Sequence, residues 1–135
     1  MSAEISPAFA QRIERAYYVW FTTVRADGQP QPTPVWFVRQ GDEFIIYSSP
    51  DAQKVKNVLA SPKVALGYSE SLDAEDYLVI MGEARLDEQP TLPSKNAAYH
   101  AKYANGIIDI GMTDESFDAR FSVAIYVTPT RVRGD

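Results

Sequence analysis

Residues 47–57 of this sequence carry the groups best suited to hold an anion, and they read YSSPDAQKVKN. Ser49 followed by proline predicts a helix over about residues 50–59, with Ser49 as its N-cap. The start of a helix presents unpaired N–H groups and a partial positive charge, which suit a phosphate. Lys54 and Lys56 flank the apolar stripe of this helix on opposite sides, and Lys54 is nearer the start. We therefore expect Lys54 to face an anion, although an ordinary capped surface helix with solvated lysines fits the same pattern.

A second segment, residues 33–37 (TPVWF), could accommodate a planar ring. Prolines at positions 30, 32 and 34 cannot donate hydrogen bonds to a neighbouring strand, so this strand must begin at an edge, a bulge or an open crevice. Backbone groups left unpaired there can bind the polar rim of a ring, with Trp36 as a wall beside it. The alternative is an edge strand that its prolines protect from aggregation.

Other candidate groups are weaker. The acidic connection over residues 70–76 could hold a hard cation, but a solvated turn explains it better. His100, the single histidine, is a candidate general acid, whereas Tyr99 and Tyr103 have the spacing of packing residues on one helix face. With one histidine and no cysteine, we expect neither a metal site nor a Ser-His-Asp triad.

Composition restricts the class of protein further. The 135 residues suffice for a single domain, and the net charge of −5 disfavours nucleic acid as a partner. No apolar run approaches the roughly 20 residues of a membrane span. The N-terminal residues do not resemble a signal peptide, so we expect no membrane association and a cytoplasmic location.

The elements that position these groups follow from periodicity and breakers. We predict helices over about residues 7–16, 50–59 and 92–104, the first capped by Ser6 and the last ended by Asn105 and Gly106. Strands are predicted over about residues 17–24, 33–39, 44–48, 63–69, 76–86 and 121–127, with a loop over residues 106–118. This order predicts an antiparallel barrel with helices at its edges.

The order of five segments resembles the pyridoxamine-phosphate-oxidase-like split-barrel family. They are residues 21–30 (FTTVRADGQP), 34–37 (PVWF), 46–49 (IYSS), 54–57 (KVKN) and 61–66 (SPKVAL). Residues 111–113 (GMT) and 127–134 (VTPTRVRG) resemble a subgroup of probable F420-dependent (deazaflavin) enzymes. The resemblance runs from about residue 16 to the end. It implies one mainly β (α+β) domain, a split β-barrel of about six antiparallel strands with flanking helices.

The resemblance also implies a homodimer with two cofactor sites at the subunit interface. Lys54 matches the family's phosphate-binding lysine, and Ser48 and Ser49 match small polar residues that face the phosphate. Lys56 and Asn57 match positions that support the cofactor tail.

Strand two matches the segment whose backbone lies along the cofactor ring in the family, here Pro34, Val35 and Trp36. Many relatives carry an arginine beside the phosphate lysine, where this chain has Gln53 or Ala52. This departure favours F420 over FMN, because fewer cations are concentrated at one phosphate.

The function expected from the resemblance is an F420-dependent oxidoreductase that passes a hydride to an electron-poor small molecule. The alternatives are an FMN-dependent oxidoreductase of the same fold and a non-catalytic flavin- or haem-binding protein, for which His100 would be the available haem ligand. No catalytic side chain is assigned, since the cofactor itself supplies the hydride.

Overall fold

The computed structural model describes residues 4–134 and contains four α-helices and seven strands over that range. The helices are α1 (Pro7–Glu14), α2 (Gln53–Ala60), α3 (Ala97–Asp109) and α4 (Asp114–Arg120), with a 3-10 turn at Pro93–Lys95. The strands are β1 (Val19–Val24), β2 (Pro30–Val35), β3 (Val38–Gln40), β4 (Glu43–Ser48), β5 (Lys63–Ser69), β6 (Tyr77–Asp87) and β7 (Val123–Gly134).

The seven strands form one sheet in the order β2-β1-β5-β6-β7-β4-β3, and every neighbouring pair is antiparallel. The two edge strands, β2 and β3, are separated in the chain only by Trp36 and Phe37. Because so short a link joins the two edges, the sheet must curl until they approach each other. The predicted α+β split β-barrel is confirmed, with seven strands in place of about six.

Side chains from six of the strands fill the barrel interior. The central members are completely buried: Phe21, Phe37, Phe44, Ile46, Ile80 and Ile125. Helix α1 adds Phe9 and Ile13, and α2 adds Val55 and Val58, so both helices close the ends of the same core. Ser6 caps α1 as predicted, since its hydroxyl accepts from the Phe9 N–H at 3.2 Å.

A second apolar cluster lies on the outer face of β3, β4 and β7, beneath α3 and α4. It contains Val38, Ile45, Tyr47, Tyr99, Tyr103, Ile107, Phe117 and Ala124. Strand β4 is consequently buried on both faces, from Phe44 through Ser48, which explains its unbroken run of large residues.

The single strand predicted over residues 33–39 is wrong, because the chain leaves the sheet at Trp36 and Phe37. At this break the Tyr103 hydroxyl accepts from the Phe37 N–H at 2.8 Å. Its own proton can be donated to the Phe37 or the Tyr17 carbonyl, at 2.9 and 2.7 Å. Lys102 donates to the same Phe37 carbonyl at 3.1 Å, and burial lowers the pKa of Lys102 to about 8. Side chains of α3 thus replace the missing ladder bonds.

The prolines of β2 lie on an edge strand, as predicted. They occupy alternate positions opposite Trp20, Thr22 and Val24 of β1. Alternate residues of an antiparallel strand direct their backbone groups to the same side, so Gln31, Thr33 and Val35 are the donors toward β1. The open edge of β2 therefore presents proline carbonyls and no N–H, and another strand cannot pair with it.

The region after β6 differs from its prediction. The helix predicted over residues 92–104 starts later, at Ala97 with Asn96 as N-cap, and it continues through Gly106 to Asp109. The loop predicted over residues 106–118 is also wrong, because it contains the end of α3 and the start of α4. Strand β7 extends beyond the predicted residue 127, to Gly134. Within residues 4–134, no helix has the length and apolar character needed to cross a bilayer.

Candidate functional site

A cavity of about 190 Å³ opens where the β2–β3 break, the start of α2 and the α3–α4 region come together. It is lined by Pro34, Val35, Trp36, Tyr47, Lys54, Tyr99, Ile110, Phe117 and Phe121. Aromatic and aliphatic groups make up most of this lining, so the cavity suits the flat face of a ring. The three predicted ring-binding residues of strand two all line it.

A second cavity of about 170 Å³ lies along β2 and α2. Its lining is polar and consists of Thr23, Gln31, Pro32, Thr33, Gln53, Lys54 and Asn57. Hydroxyls and amides can bind the oxygens of an anion or of a sugar chain. Consecutive residues of β2 line the two cavities, and Lys54 borders both.

Lys54 is the group that distinguishes this place electrostatically. It is half-buried, and burial lowers the pKa of its ammonium below the usual 10.5. Among the residues that line the two cavities within the described chain, Lys54 alone carries a charge. No carboxylate of residues 4–134 pairs with it. A partly desolvated cation without a protein counter-ion has the chemistry to bind an external anion.

The start of α2 differs from the prediction in a way that matters here. Ala52, rather than Ser49, occupies the N-cap position, and no side chain caps the helix. Lys54 is therefore the second residue of α2, within its first turn, and the N–H groups of that turn lack a side-chain acceptor. Ser48 is buried and donates to the Ser49 carbonyl at 2.9 Å. Neither Ser48 nor Ser49 lines either of these two cavities, so their predicted contact with a phosphate stays a prediction.

Asn57 and Lys56 are placed very differently by the same helix. Asn57 is buried, donates to the Thr23 hydroxyl and to the Gln31 side chain at 2.9 Å each, and accepts from Gln53 at 2.9 Å. It ties α2 to β1 and β2 while lining the polar cavity. Lys56 is exposed and borders neither cavity, so any role for it lies with a longer ligand tail.

Sequence reasoning did not propose five of the residues that line the first, aromatic cavity: Tyr47, Tyr99, Ile110, Phe117 and Phe121. A local signal existed for α4, because Thr113 followed by two acidic residues is typical of a helix start. Thr113 and Ser116 form a reciprocal capping box, and Phe117 and Phe121 follow at i and i+4 spacing. The positions of Tyr47 and Tyr99 depend on tertiary packing, which no local pattern indicates.

Trp36 lies in an aromatic assembly that joins β2 to α3 and α4. Its ring is parallel to that of Tyr103, with centroids 4.5 Å apart and an interplanar angle of 1°. It also stacks on Phe117 at 5.8 Å and meets Tyr17 edge-on at 5.6 Å. Tyr99 packs against Tyr103 at 4.7 Å, so the predicted packing role of both tyrosines is confirmed.

The remaining sequence candidates lie elsewhere. His100 on α3 contacts the Asp114 carboxylate at 3.0 Å and lines neither cavity. In the acidic connection, Asp73 and Asp76 accept hydrogen bonds from Ser71, which lower the pKa of both carboxyls. No group of three or more potential metal ligands occurs among the described residues.

Comparison with known proteins shows which family the chain belongs to. The family model for pyridoxamine 5'-phosphate oxidase matches residues 5–134, and the chain belongs to this family. No curated protein sequence matches the chain. A solved F420 reductase superposes with a TM-score of 0.75 at 26% identity, covering 96% of this chain and 98% of its own.

Two further structures share the fold at lower identity. A conserved hypothetical protein from Mycobacterium tuberculosis has a TM-score of 0.77 at 18% identity and covers 98% of this chain and 84% of its own. The heme storage protein HutZ from Vibrio cholerae has a TM-score of 0.66 at 14% identity and covers 98% of this chain and 95% of its own. The predicted resemblance to the split-barrel family is thereby confirmed.

Proposed function

We propose that this protein binds the deazaflavin F420 and transfers a hydride from its reduced form to an electron-poor small molecule. The observation that carries the proposal is the half-buried, unpaired Lys54 between an aromatic cavity and a polar cavity. The likeness to an F420 reductase, at 26% identity over nearly the whole of both chains, supports it.

The donor set fits the parts of such a cofactor. The apolar walls of the first cavity suit a fused ring, and the adjacent open edge of β2 offers proline carbonyls to a ring N–H. Lys54 and the uncapped first turn of α2 suit the phosphate. The hydroxyls and amides of the second cavity suit the polyol between ring and phosphate.

The bound deazaflavin supplies the hydride, and the protein supplies binding, orientation and exclusion of water. Lys54 binds and neutralises the phosphate. Pro34, Val35 and Trp36 limit the positions open to a ring. Phe117 of α4 and Phe121, which follows the helix, leave an apolar surface for the acceptor in the same cavity. No proton donor is assigned, since His100 lies outside the cavity.

F420 is preferred to FMN because the cationic charge is sparse and spread out. Lys54 has no second cation beside it in either cavity, and the exposed Lys56 follows two positions further along α2. A compact phosphate dianion gains most from cations concentrated at one point. The phosphate of F420 continues into a lactyl and polyglutamate tail, which can use a distributed positive path.

We also propose that the working unit is a homodimer in which the partner completes each site. The two cavities, of about 190 and 170 Å³, are each smaller than the roughly 300–1,000 Å³ of typical ligand pockets. Beside them lies a strip of half-exposed aromatic rings: Tyr17, Tyr18, Trp20 and Tyr77. An outer groove lined by Tyr18, Trp20, Pro34 and Trp36 connects this strip to the aromatic cavity. Such a patch is typical of a protein interface.

The test of the hydride-transfer activity is the oxidation of chemically reduced F420 by menadione, a simple quinone, followed through the return of deazaflavin fluorescence. We expect the protein to accelerate this oxidation in proportion to its concentration. Lys54→Ala should raise the F420 concentration needed for half-maximal rate. A protein that binds F420 but leaves the oxidation at its uncatalysed rate with quinones and with conjugated enones would contradict the enzymatic proposal.

A further inference from the structure

Helix α3 approaches the Trp36 indole unusually closely at one position, Gly106. A Cβ atom added at Gly106 would lie 3.0 and 3.3 Å from two carbons of the far ring of the Trp36 indole. Its nearest neighbour would be the Tyr17 hydroxyl, which it would overlap. Gly106 lies inside α3, where glycine is less favourable than alanine by about 0.8–1 kcal/mol. Glycine at position 106 therefore lowers the stability of the helix, and its missing side chain leaves room for the Tyr17 hydroxyl and the Trp36 ring.

One turn earlier on the same helix, Tyr103 holds Trp36 in two ways. Its ring is stacked on the indole at 4.5 Å. Its hydroxyl accepts from the N–H of Phe37, the residue that follows Trp36. Tyr103 is completely buried, and burial raises the pKa of its hydroxyl, so it stays a neutral donor and acceptor. Both the ring of Trp36 and the backbone beside it are thus fixed by α3.

Trp36 in turn borders two spaces. It lines both the aromatic cavity and the outer groove that includes Tyr18 and Trp20. A shift of its indole by a few tenths of an ångström changes the width of the cavity directly, since the ring forms its wall. The residues that decide this width, Tyr103 and Gly106, do not line the cavity.

We propose that Gly106 and Tyr103 are positioning residues that set the place of the Trp36 wall and thereby the affinity of the cavity for a flat ring. This inference rests on the proposed function for the identity of the ring. It assigns no chemistry to the two residues, which act through Trp36 alone.

The first part of the test makes four comparisons of melting temperature: Gly106→Ala in the native, Trp36→Phe and Tyr17→Phe backgrounds, and one control variant against the native protein. Gly106→Ala should lower the melting temperature, although alanine favours a helix, because the new methyl group overlaps the Tyr17 hydroxyl and crowds the Trp36 ring. Trp36→Phe removes the far indole ring, so Gly106→Ala should cost less in that background. Tyr17→Phe removes the hydroxyl, so the loss should shrink there but not vanish, because the contact with Trp36 remains. Asn105→Ala, an exposed neighbour on α3, serves as the control and should leave the melting temperature unchanged or raise it slightly.

The second part measures binding of two probes, F420 and its chromophore without phosphate and tail. Gly106→Ala and Tyr103→Phe should each weaken both probes by the same factor, about three- to tenfold, which corresponds to up to about 1.4 kcal/mol. Lys54→Ala should weaken F420 alone. A change confined to the phosphate side of the site would not preserve the ratio between the two probes, and binding is measured well below the melting temperatures so that every variant is folded.

The outcomes separate this inference from the proposed function. A Gly106→Ala loss that persists undiminished in the Trp36→Phe background would overturn the positioning role, whatever the ligand. The same holds if Gly106→Ala or Tyr103→Phe leaves chromophore affinity unchanged. If the native protein binds neither probe, the cofactor proposal and the ring affinity fail together, while the four stability measurements still decide whether Gly106 positions Trp36.

Discussion

Lys54 supplies the charge of the candidate site with a single side chain. Burial lowers its pKa, which means that the protein alone does not stabilise its charge. A bound phosphate would reverse this, because an adjacent anion favours the charged form. Charge-assisted hydrogen bonds contribute about 1.5–3 kcal/mol, so Lys54→Ala should weaken F420 binding about ten- to a hundredfold.

Fluorescence titration at constant ionic strength measures this effect. Lys56→Ala should cause a smaller loss, because Lys56 is exposed and outside both cavities. Lys63→Ala, at an exposed position on β5, is the neutral control. Equal affinities for the Lys54→Ala and native proteins would refute the assignment of the phosphate.

The pH profile gives a separate check on the same residue. Since only the protonated ammonium binds the phosphate, F420 affinity should fall as pH rises through the pKa of Lys54, which lies below 10.5. The Lys54→Ala protein should lose this decline. A decline of the same size in both proteins would assign it to another group.

At the scale of elements, Asn57 couples helix α2 to the barrel. Replacing it with alanine leaves Thr23, Gln31 and Gln53 without their buried partner. We expect the free energy of unfolding to fall by about 1–3 kcal/mol, as is typical when a buried hydrogen-bonding group loses its partner. Urea denaturation measures it, with Lys56→Ala, on the exposed face of α2, as the matched control. Identical midpoints for the two variants would show that the tie contributes nothing.

Some helices and strands could be predicted from the sequence with nearly the right bounds, and others could not. Strand β5 and helix α1 were predicted closely, because proline, serine and periodic apolar residues mark their limits. The break between β2 and β3 was not, since it depends on the Tyr103 hydroxyl, 66 residues away. The pair Asn105-Gly106 predicts a helix stop, whereas Gly106 lies inside α3. An added Cβ there would meet Tyr17 and Trp36, so tertiary contacts give this glycine a role that the local pattern does not show.

The residues of the candidate site also divide into those that local patterns predict and those that tertiary packing brings together. Lys54 and residues 34–36 could be found from helix-start chemistry, prolines and the family resemblance, and they do line one cavity. The sequence does not predict the other aromatic lining residues, because the barrel and its outer helices bring them together. They are Tyr47, Tyr99, Phe117 and Phe121. The Ser49-Pro50 pair predicts Ser49 as the N-cap of α2, but a turn at Pro50 and Asp51 precedes the helix and Ala52 is the N-cap.

For the whole molecule, the aromatic strip predicts self-association. Four half-exposed aromatic residues border a groove of about 620 Å³ that also includes Tyr68, so a lone protomer would leave a large apolar patch in water. Sedimentation at micromolar concentration should give a dimer. Trp20→Glu should shift it toward the monomer and weaken F420 binding at the same time, because the partner completes the site in the proposed dimer. A native protein that sediments only as the 15.1 kDa monomer would contradict the dimer.

The measurement that tests the central claim most directly is a paired titration of the native protein with F420 and with FMN at the same ionic strength, repeated at higher salt. We predict that F420 binds more tightly and that its affinity falls more steeply with salt, since more of its charges contribute. FMN binding at least as tightly as F420, or the absence of F420 binding, would contradict the account.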